Sequence, residues 1–305
     1  MTTTTTNAWI ITGPTSGIGR RTALELARHG TVVLVGRDPR KLSEVQSEID
    51  ALPGGHAVTV IADLSDMRSV RHAAQEIVEL GLPLAGLVNN AGMGQLQPGL
   101  SAQGLNLSFA TNHLGPFVFT EALMPHLPDG ANVVFVCSAV EDPERKSAVA
   151  AGFRGGRYIS AEASARGEWA PGGSSRPGRD AYATTKQCEL ATVFEFARET
   201  PRLRFNAVEP GFNPGTGLNR DAGPFLQFIL KYVMQPLAPF IKYWSTPKRA
   251  ARVITKVLTD PATGTGEYFD ENGRPMRASA RMRDPAFRER VVAETRKLLA
   301  AVPTD

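Results

Sequence analysis

Residues Ala8–Gly19 read AWIITGPTSGIG, and the rest of the chain is organised around them. An apolar, β-favouring run, Ala8–Thr12, enters the turn Gly13-Pro14-Thr15-Ser16-Gly17-Ile18-Gly19, and a helical period begins at Arg20. A glycine-rich turn between strand and helix lets backbone approach a pyrophosphate. The helix N-terminus then offers free N–H groups and a partial positive charge to the anion. Glycines at this spacing could also be no more than a tight turn. Their place after the first strand is what points to a dinucleotide.

Outward from this turn, short β-rich runs alternate with segments of helical period. Strands are predicted at Ala8–Thr12, Thr31–Val35, Ala57–Ile61, Gly86–Asn89, Asn132–Cys137, Arg204–Val208 and Glu267–Phe269. Helices are predicted at Arg20–Arg28, Pro39–Ile49, Met67–Glu79, around Ser108–His126, and at Asp180–Glu199 and Pro247–Thr259. Strand-then-helix repetition implies parallel strands joined by right-handed crossovers. The fold class is therefore α/β, a Rossmann-type doubly wound parallel sheet of about seven strands with helices on both faces. No linker divides the chain, so residues 1–305 read as one domain. Two stretches interrupt the alternation. Ala139–Arg179 is rich in Gly, Ser, Arg and Pro, and Gly211–Trp244 starts with turn residues and becomes strongly apolar. Long irregular insertions in a compact fold are functional or disordered more often than incidental.

Composition narrows the partners. At 42% hydrophobic and 21% charged residues the chain is an ordinary globular one. The net charge of +4 is dispersed apart from a mild cluster between Arg274 and Arg290, which reads as a solvated face, not a nucleic-acid surface. No uninterrupted apolar stretch is long enough to span a membrane. Met1–Thr6 lacks the blocks of a signal peptide. Cys137 and Cys188, both in apolar-rich segments, do not suggest a disulfide framework, and a cytoplasmic location is expected.

Cofactor choice is read where strand two ends, at Val35-Gly36-Arg37. An acidic residue there would bind the ribose 2′-hydroxyl of NAD, whereas an Arg accommodates the 2′-phosphate of NADP. Arg37, with Lys41 one turn later, predicts NADP(H); the plainer reading is a pair of solvated charges at a helix start. Asp63-Leu64 and Asn89-Asn90-Ala91-Gly92 follow the next two strands, at the ends where open sheets bind ligands. The Asn pair alone would be read as a turn.

Tyr182-Ala183-Thr184-Thr185-Lys186 sets a phenol and an ammonium four residues apart on one helix face. A nearby cation favours phenolate and is expected to lower the Tyr182 pKa, making it a general acid for a carbonyl oxygen. This spacing alone arises in many helices by chance.

The ordered set Thr12–Gly19, Asn89–Gly92, Asn112, Ser138, Tyr182/Lys186 and Pro210-Gly211 resembles the short-chain dehydrogenase/reductase family over essentially the whole chain. That resemblance implies catalytic Asn112, Ser138, Tyr182 and Lys186. Ser138 would hydrogen-bond the substrate carbonyl, Lys186 would hold the nicotinamide ribose, and Asn112 would order a water. It implies cofactor contacts from Gly13, Thr15, Ser16, Gly17, Ile18, Gly19, Arg37, Lys41, Asp63, Leu64, Asn90, Ala91, Gly92, Tyr182, Lys186, Pro210 and Gly211. His113, beside Asn112, is expected to pack or to make a structural hydrogen bond. No metal is expected.

Within the family, Ala181–Leu190 (AYATTKQCEL) and Pro210–Leu218 (PGFNPGTGL) are similar to the retinol-dehydrogenase-like and protochlorophyllide-reductase-like groups. So are the apolar run through Lys242-Tyr243, Gly264–Phe269 and a basic C-terminal helix. Protochlorophyllide reductases carry Cys where this chain has Phe212, which argues against photochemical pigment reduction. Gly215 stands where related sequences often have Thr, so Thr216 is the candidate contact to the carboxamide.

The expected activity is hydride transfer between NADP(H) and a carbonyl or secondary alcohol of an apolar small molecule. Reduction of an activated C=C bond, and a non-catalytic NADP-binding regulator, are the alternatives. Residues 212–244, chiefly Pro224–Trp244, are expected to form a substrate lid; a core-packing helix pair and a membrane-surface anchor are the other readings. Residues 141–179 separate Ser138 from Tyr182 much further than in the family's simpler members. The segment is too polar for a core of its own and is expected on the surface near the Tyr182 helix. There it would cover the family's usual interface, which favours a monomer over a dimer.

Overall fold

The computed structural model describes residues 7–94, 99–213 and 244–302. Among these, seven strands form one all-parallel sheet: β1 (Ala8–Thr12), β2 (Thr31–Gly36), β3 (Ala57–Ile61), β4 (Leu84–Asn89), β5 (Asn132–Val136), β6 (Arg204–Val208) and β7 (Glu267–Phe269), in the order β3-β2-β1-β4-β5-β6-β7. The helices are α1 (Gly17–Leu26), α2 (Pro39–Asp50), α3 (Met67–Glu79), α4 (Leu107–Phe109), α5 (Gly115–Leu123), α6 (Lys146–Ala150), α7 (Ala161–Arg166), α8 (Pro177–Glu199), α9 (Pro247–Thr259) and α10 (Pro285–Ala301). None of them is long and apolar enough to cross a membrane.

Both faces of the sheet are buried, so its strands are apolar in succession, not alternately. Ile10 and Ile11 are each fully buried but enter opposite layers, as do Val133 and Val134. One layer packs β-strand side chains against Phe117, Phe196 and Val291 of α5, α8 and α10; the other packs them against Leu26, Leu42 and Ile254 of α1, α2 and α9. From β1 the chain moves outward to β2 and β3, then returns to β4 on the other side of β1. This reversal opens a crevice beyond the carboxyl ends of β1 and β4, where doubly wound sheets bind ligands.

The single helix expected around Ser108–His126 is instead segmented. Between α4 and α5 lies a π-helical turn, Ala110–Leu114, and a 3-10 turn, Met124–His126, ends the run. Its wide turn carries Asn112, fully buried, toward the crevice.

The segment between β5 and α8 also departs from expectation. It lies beside α8 as anticipated, but it is not confined to the surface. Tyr158 and Ala161 are buried, and α7 docks on α10. The Tyr158 hydroxyl donates to Glu294 Oε2 at 2.7 Å, Ala161 N donates to the same oxygen at 3.2 Å, and the Tyr158 ring meets Phe287 edge-on. A few apolar side chains in a polar segment suffice once a neighbouring helix offers them a face. With α10 and this segment around it, α8 is enclosed: from Ala181 to Val193 every residue except Tyr182 is buried.

Candidate active site

The crevice is a cleft of ≈ 570 Å³. Its floor is the turn between β1 and α1, including Thr15, Ser16 and Ile18, with Gly13 and Gly17 at φ 66° and 56°. Gly19 is dictated by contact: a Cβ there would lie 2.2 Å from Gly13 O and 2.4 Å from Asn90 Nδ2. Asn90 Nδ2 donates to Thr12 O (2.9 Å) and Gly13 O (3.2 Å). The Thr12 hydroxyl accepts from Asn90 N (3.1 Å) and Ala91 N (3.0 Å). Thr12 and Asn90 thereby lock the two loops together, with Ala91 and Gly92 on the cleft wall. The first turn of α1 contains no acidic residue to oppose an anion.

At the outer end the cleft is lined by Gly36, Arg37, Asp38 and Lys41. Asp38 caps α2 by accepting from Arg40 N (3.1 Å) and Lys41 N (3.3 Å), and the Lys41 amide is the main cause of its lowered pKa. Lys41 Nζ is 3.4 Å from Asp38 Oδ2, so its charge is shared, whereas Arg37 is exposed at the cleft edge and, among the described residues, has no carboxylate bonded to it. Asp63 closes the wall beside Leu64 and uses Oδ1 to accept from Ser65 N (2.9 Å) and Ser65 Oγ (2.7 Å).

The inner end carries Tyr182 and Lys186. Lys186 Nζ stands 5.7 Å from the Tyr182 ring centre. It donates to Val136 O and to both carboxylate oxygens of Glu189, each at 2.9 Å. Asn112 and Lys186 converge on Gly92, where a Cβ would meet Asn112 Oδ1 at 3.6 Å and Lys186 Nζ at 3.7 Å. The Asn112 amide is spent within the protein. Its Oδ1 accepts from Met93 N (2.8 Å), and its Nδ2 donates to Met93 O (2.9 Å) and Thr185 Oγ1 (3.2 Å). The Phe153 ring, from the segment after β5, lies 6.3 Å from that of Tyr182, under the Arg179 guanidinium.

Electrostatics correct one expectation. Burial pushes the Tyr182 phenol up, to about 12; Lys186 pulls it down, but Glu189 and Glu209 push it up again. The cation does act in the anticipated sense, and desolvation with two carboxylates outweighs it. Lys186 is held in its charged form: burial opposes the charge, and Glu189, Tyr182 and Cys137 together more than offset that cost. His113 is fully enclosed by Phe109 and Phe117, with Nε2 2.9 Å from Thr295 Oγ1, and burial lowers its pKa to about 3.

Ser138, Pro210 and Gly211 are not among the residues that line the cleft, although Cys137, next to Ser138, is. Ser138, half-buried, follows Cys137 at the end of β5, and its side chain makes no bond to the 3-10 turn Ala139–Glu141 that it precedes. Pro210 and Gly211 stand past β6, where Glu209 accepts from Ala139 N and from Gly211 N (3.2 Å), tying the ends of β5 and β6 together. Thr216, and all of the expected lid but its ends, lie outside the described residues. At those ends Phe212 is exposed and packs edge-on against Trp244 at 5.1 Å.

Sequence reading missed Glu189, Glu209 and Phe153. Only Glu189 left a trace, as an acid three residues after Lys186 in an otherwise apolar run.

A family model described as short chain dehydrogenase matches residues 7–150. The chain is 27% identical to protochlorophyllide reductase B of Hordeum vulgare over 294 residues, covering 86% of this chain and 70% of that one. It is 42% identical to polyprenol dehydrogenase of Mus musculus over 139 residues, 43% of this chain and 41% of that one. A short chain dehydrogenase of Shigella flexneri solved with NADP superposes with a TM-score of 0.61 at 25% identity, covering 87% of this chain and 96% of that one.

Proposed function

Since this chain belongs to the short-chain dehydrogenase/reductase family, we propose that it is an NADPH-dependent oxidoreductase acting on the carbonyl or secondary alcohol of an apolar small molecule. The observation that carries this reading is a phenol kept protonated beside a charged lysine, at the inner end of a cleft whose floor is a glycine turn at a helix N-terminus. Gly19 fits a pyrophosphate because any side chain there would fill the turn. Arg37 at the outer end fits a 2′-phosphate, and the NADP bound by the Shigella flexneri protein agrees with that choice.

The Gly13–Gly19 turn, Arg37, Tyr182 and Lys186 would hold NADPH in this cleft, and the bound cofactor would supply the hydride that a carbonyl carbon accepts. Tyr182 gives its phenolic proton to the carbonyl oxygen: its O–H bond breaks, the product O–H forms, and the phenolate left behind faces the Lys186 ammonium. Ser138 polarises the same oxygen. Asn112 holds Met93 and Thr185, and so positions Gly92 and the Tyr182 helix. Glu209 holds the turn after β6 against Ser138's end of β5.

An apolar substrate is supported by similarity to an enzyme named for a polyprenol and by the aromatic pair Phe212 and Trp244. Reduction of an activated C=C bond has the similarity to the barley enzyme in its favour and Phe212, in place of a thiol, against it. NADPH oxidation measured against aldehydes, ketones, quinones and enones tests the class, and product analysis on an enone separates allylic alcohol from saturated ketone. No oxidation with any of them sinks the reading. We further propose a monomer, because the helix through which many relatives pair is enclosed by its own chain. Light scattering after size exclusion checks it, and a mass near four times 32.8 kDa counts against it.

A further inference from the structure

The Lys186 ammonium has three N–H donors, and all three meet acceptors of the chain itself: Val136 O and the two oxygens of Glu189. The lysine and the carboxylate are 4% and 3% exposed. A buried ion pair is a poor device for stability, because desolvating two charges costs as much as their attraction returns, and an apolar pair of the same volume often serves as well. Its presence one helical turn from the expected proton donor calls for another account.

We propose that Glu189 is a positioning residue: it holds the Lys186 ammonium against the end of β5 and offsets the positive charge presented to Tyr182, so that release of the phenolic proton is governed by the Lys186–Glu189 pair and not by Lys186 alone. This rests on the functional reading above only in taking Tyr182 as the proton donor.

The surroundings agree. From α8 itself come Tyr182, Lys186 and Glu189. From the end of β5 comes Cys137, whose thiol lies beside Glu189. From the end of β6 comes Glu209, and behind Cys137 stand Glu141, bonded by Ser279 Oγ at 2.8 Å, and Tyr268 of β7. Among the groups acting on the phenol, Lys186 favours its ionisation while Glu189, Glu209 and Cys137 oppose it. With burial as the largest cause and these charges added to it, Tyr182 keeps its proton at neutral pH, the form that carbonyl reduction needs. Alcohol oxidation needs the phenolate and is confined to alkaline solution. Removing the Glu189 charge leaves the ammonium bonded to Val136 O and unopposed at close range, so the phenol ionises more easily.

Glu189→Gln keeps the shape and removes the charge. Tyrosinate absorbance is titrated in the full-length wild type and in this variant, each differenced against its Tyr182→Phe counterpart. Tyr182 is expected to ionise lower in Glu189→Gln by about one pH unit or more, the size of a close-charge effect. The pH profile of alcohol oxidation with NADP moves with it, while Glu189→Asp stays near wild type. Unchanged Tyr182 ionisation in folded Glu189→Gln overturns the proposal. Glu189→Ser, smaller and neutral, replaces it if Gln does not pack. Failure of every neutral variant to fold, with Glu189→Asp folded, shows a purely structural role and overturns it too. The absorbance needs no turnover, so a chain that reduces nothing refutes the functional reading alone, and an active enzyme with unmoved ionisation refutes only this inference.

Discussion

The turn after β1 forms the floor of the cleft, while the segment between β5 and α8 brings Phe153 beside Tyr182 at its inner end, and the two are under different kinds of constraint. In the turn the backbone is the working surface. Gly19 sits 2.2 Å, through its missing Cβ, from Gly13 O, and Asn90 binds main-chain oxygens. Few residue types satisfy such positions, so their pattern can be read in isolation. In the segment the side chains do the work. Tyr158 finds Glu294 and Phe287 on a helix far along the chain, and Phe153 finds Tyr182. Many other residues would serve there, provided that their partners changed with them. Damage to the first region should therefore fall on cofactor and chemistry, and damage to the second on stability.

The largest expected effect lies where the two regions meet. Tyr182→Phe should bind NADPH like the wild type and lose turnover by at least the roughly 10²–10⁴-fold ascribed to a positioned acid. Fluorescence titration gives the first quantity and steady-state kinetics the second; more than about a tenth of wild-type kcat in a folded variant would remove Tyr182 from its role.

Next comes the outer end of the cleft. Arg37→Ala should raise KM for NADPH about 10- to 150-fold, the worth of a charge-assisted contact of roughly 1.5–3 kcal/mol, with NADH nearly unaffected. Equal efficiency of the wild type with both cofactors would break the assignment before any variant is made.

The opposite signature belongs to the docked segment. Glu294→Ala leaves the Tyr158 hydroxyl and Ala161 N–H without their acceptor, and should cost about 1–3 kcal/mol in urea unfolding while NADPH affinity stays put. A variant of unchanged stability would show that α10 does not hold the segment down.

The smallest effect is in pH dependence. His113 has its pKa lowered to about 3 by burial, below that of an exposed histidine, so the unfolded chain binds the extra proton. Its contribution to stability is complete above the unfolded value of about 6.5 and is lost as pH falls from there toward 3. Between pH 7 and 5 the wild type should lose on the order of 1–2 kcal/mol more than His113→Gln. Equal losses in paired urea titrations would mean that His113 is not shielded as its Phe109 and Phe117 contacts imply.

The sequence by itself determined the parallel sheet, the glycine turn, Arg37 at the end of β2 and the Tyr182/Lys186 pair. Each is a local pattern: continuous apolar strands, a strand-to-helix turn, two side chains four apart on one helix face. What lay beyond it depended on residues distant in the chain. The turn at Ala110–Leu114 is π-helical, with Asn112 reaching across to Met93 and Thr185. Tyr158 is buried because Glu294 and Phe287 receive it. The Tyr182 phenol is raised, not lowered, because desolvation depends on how completely α8 is enclosed, and the spacing of Tyr182 and Lys186 carries no measure of that. Periodicity and turn chemistry act within a few residues, whereas burial and the pairing of charges are sums over everything that packs against a group. Only the tertiary structure decides them.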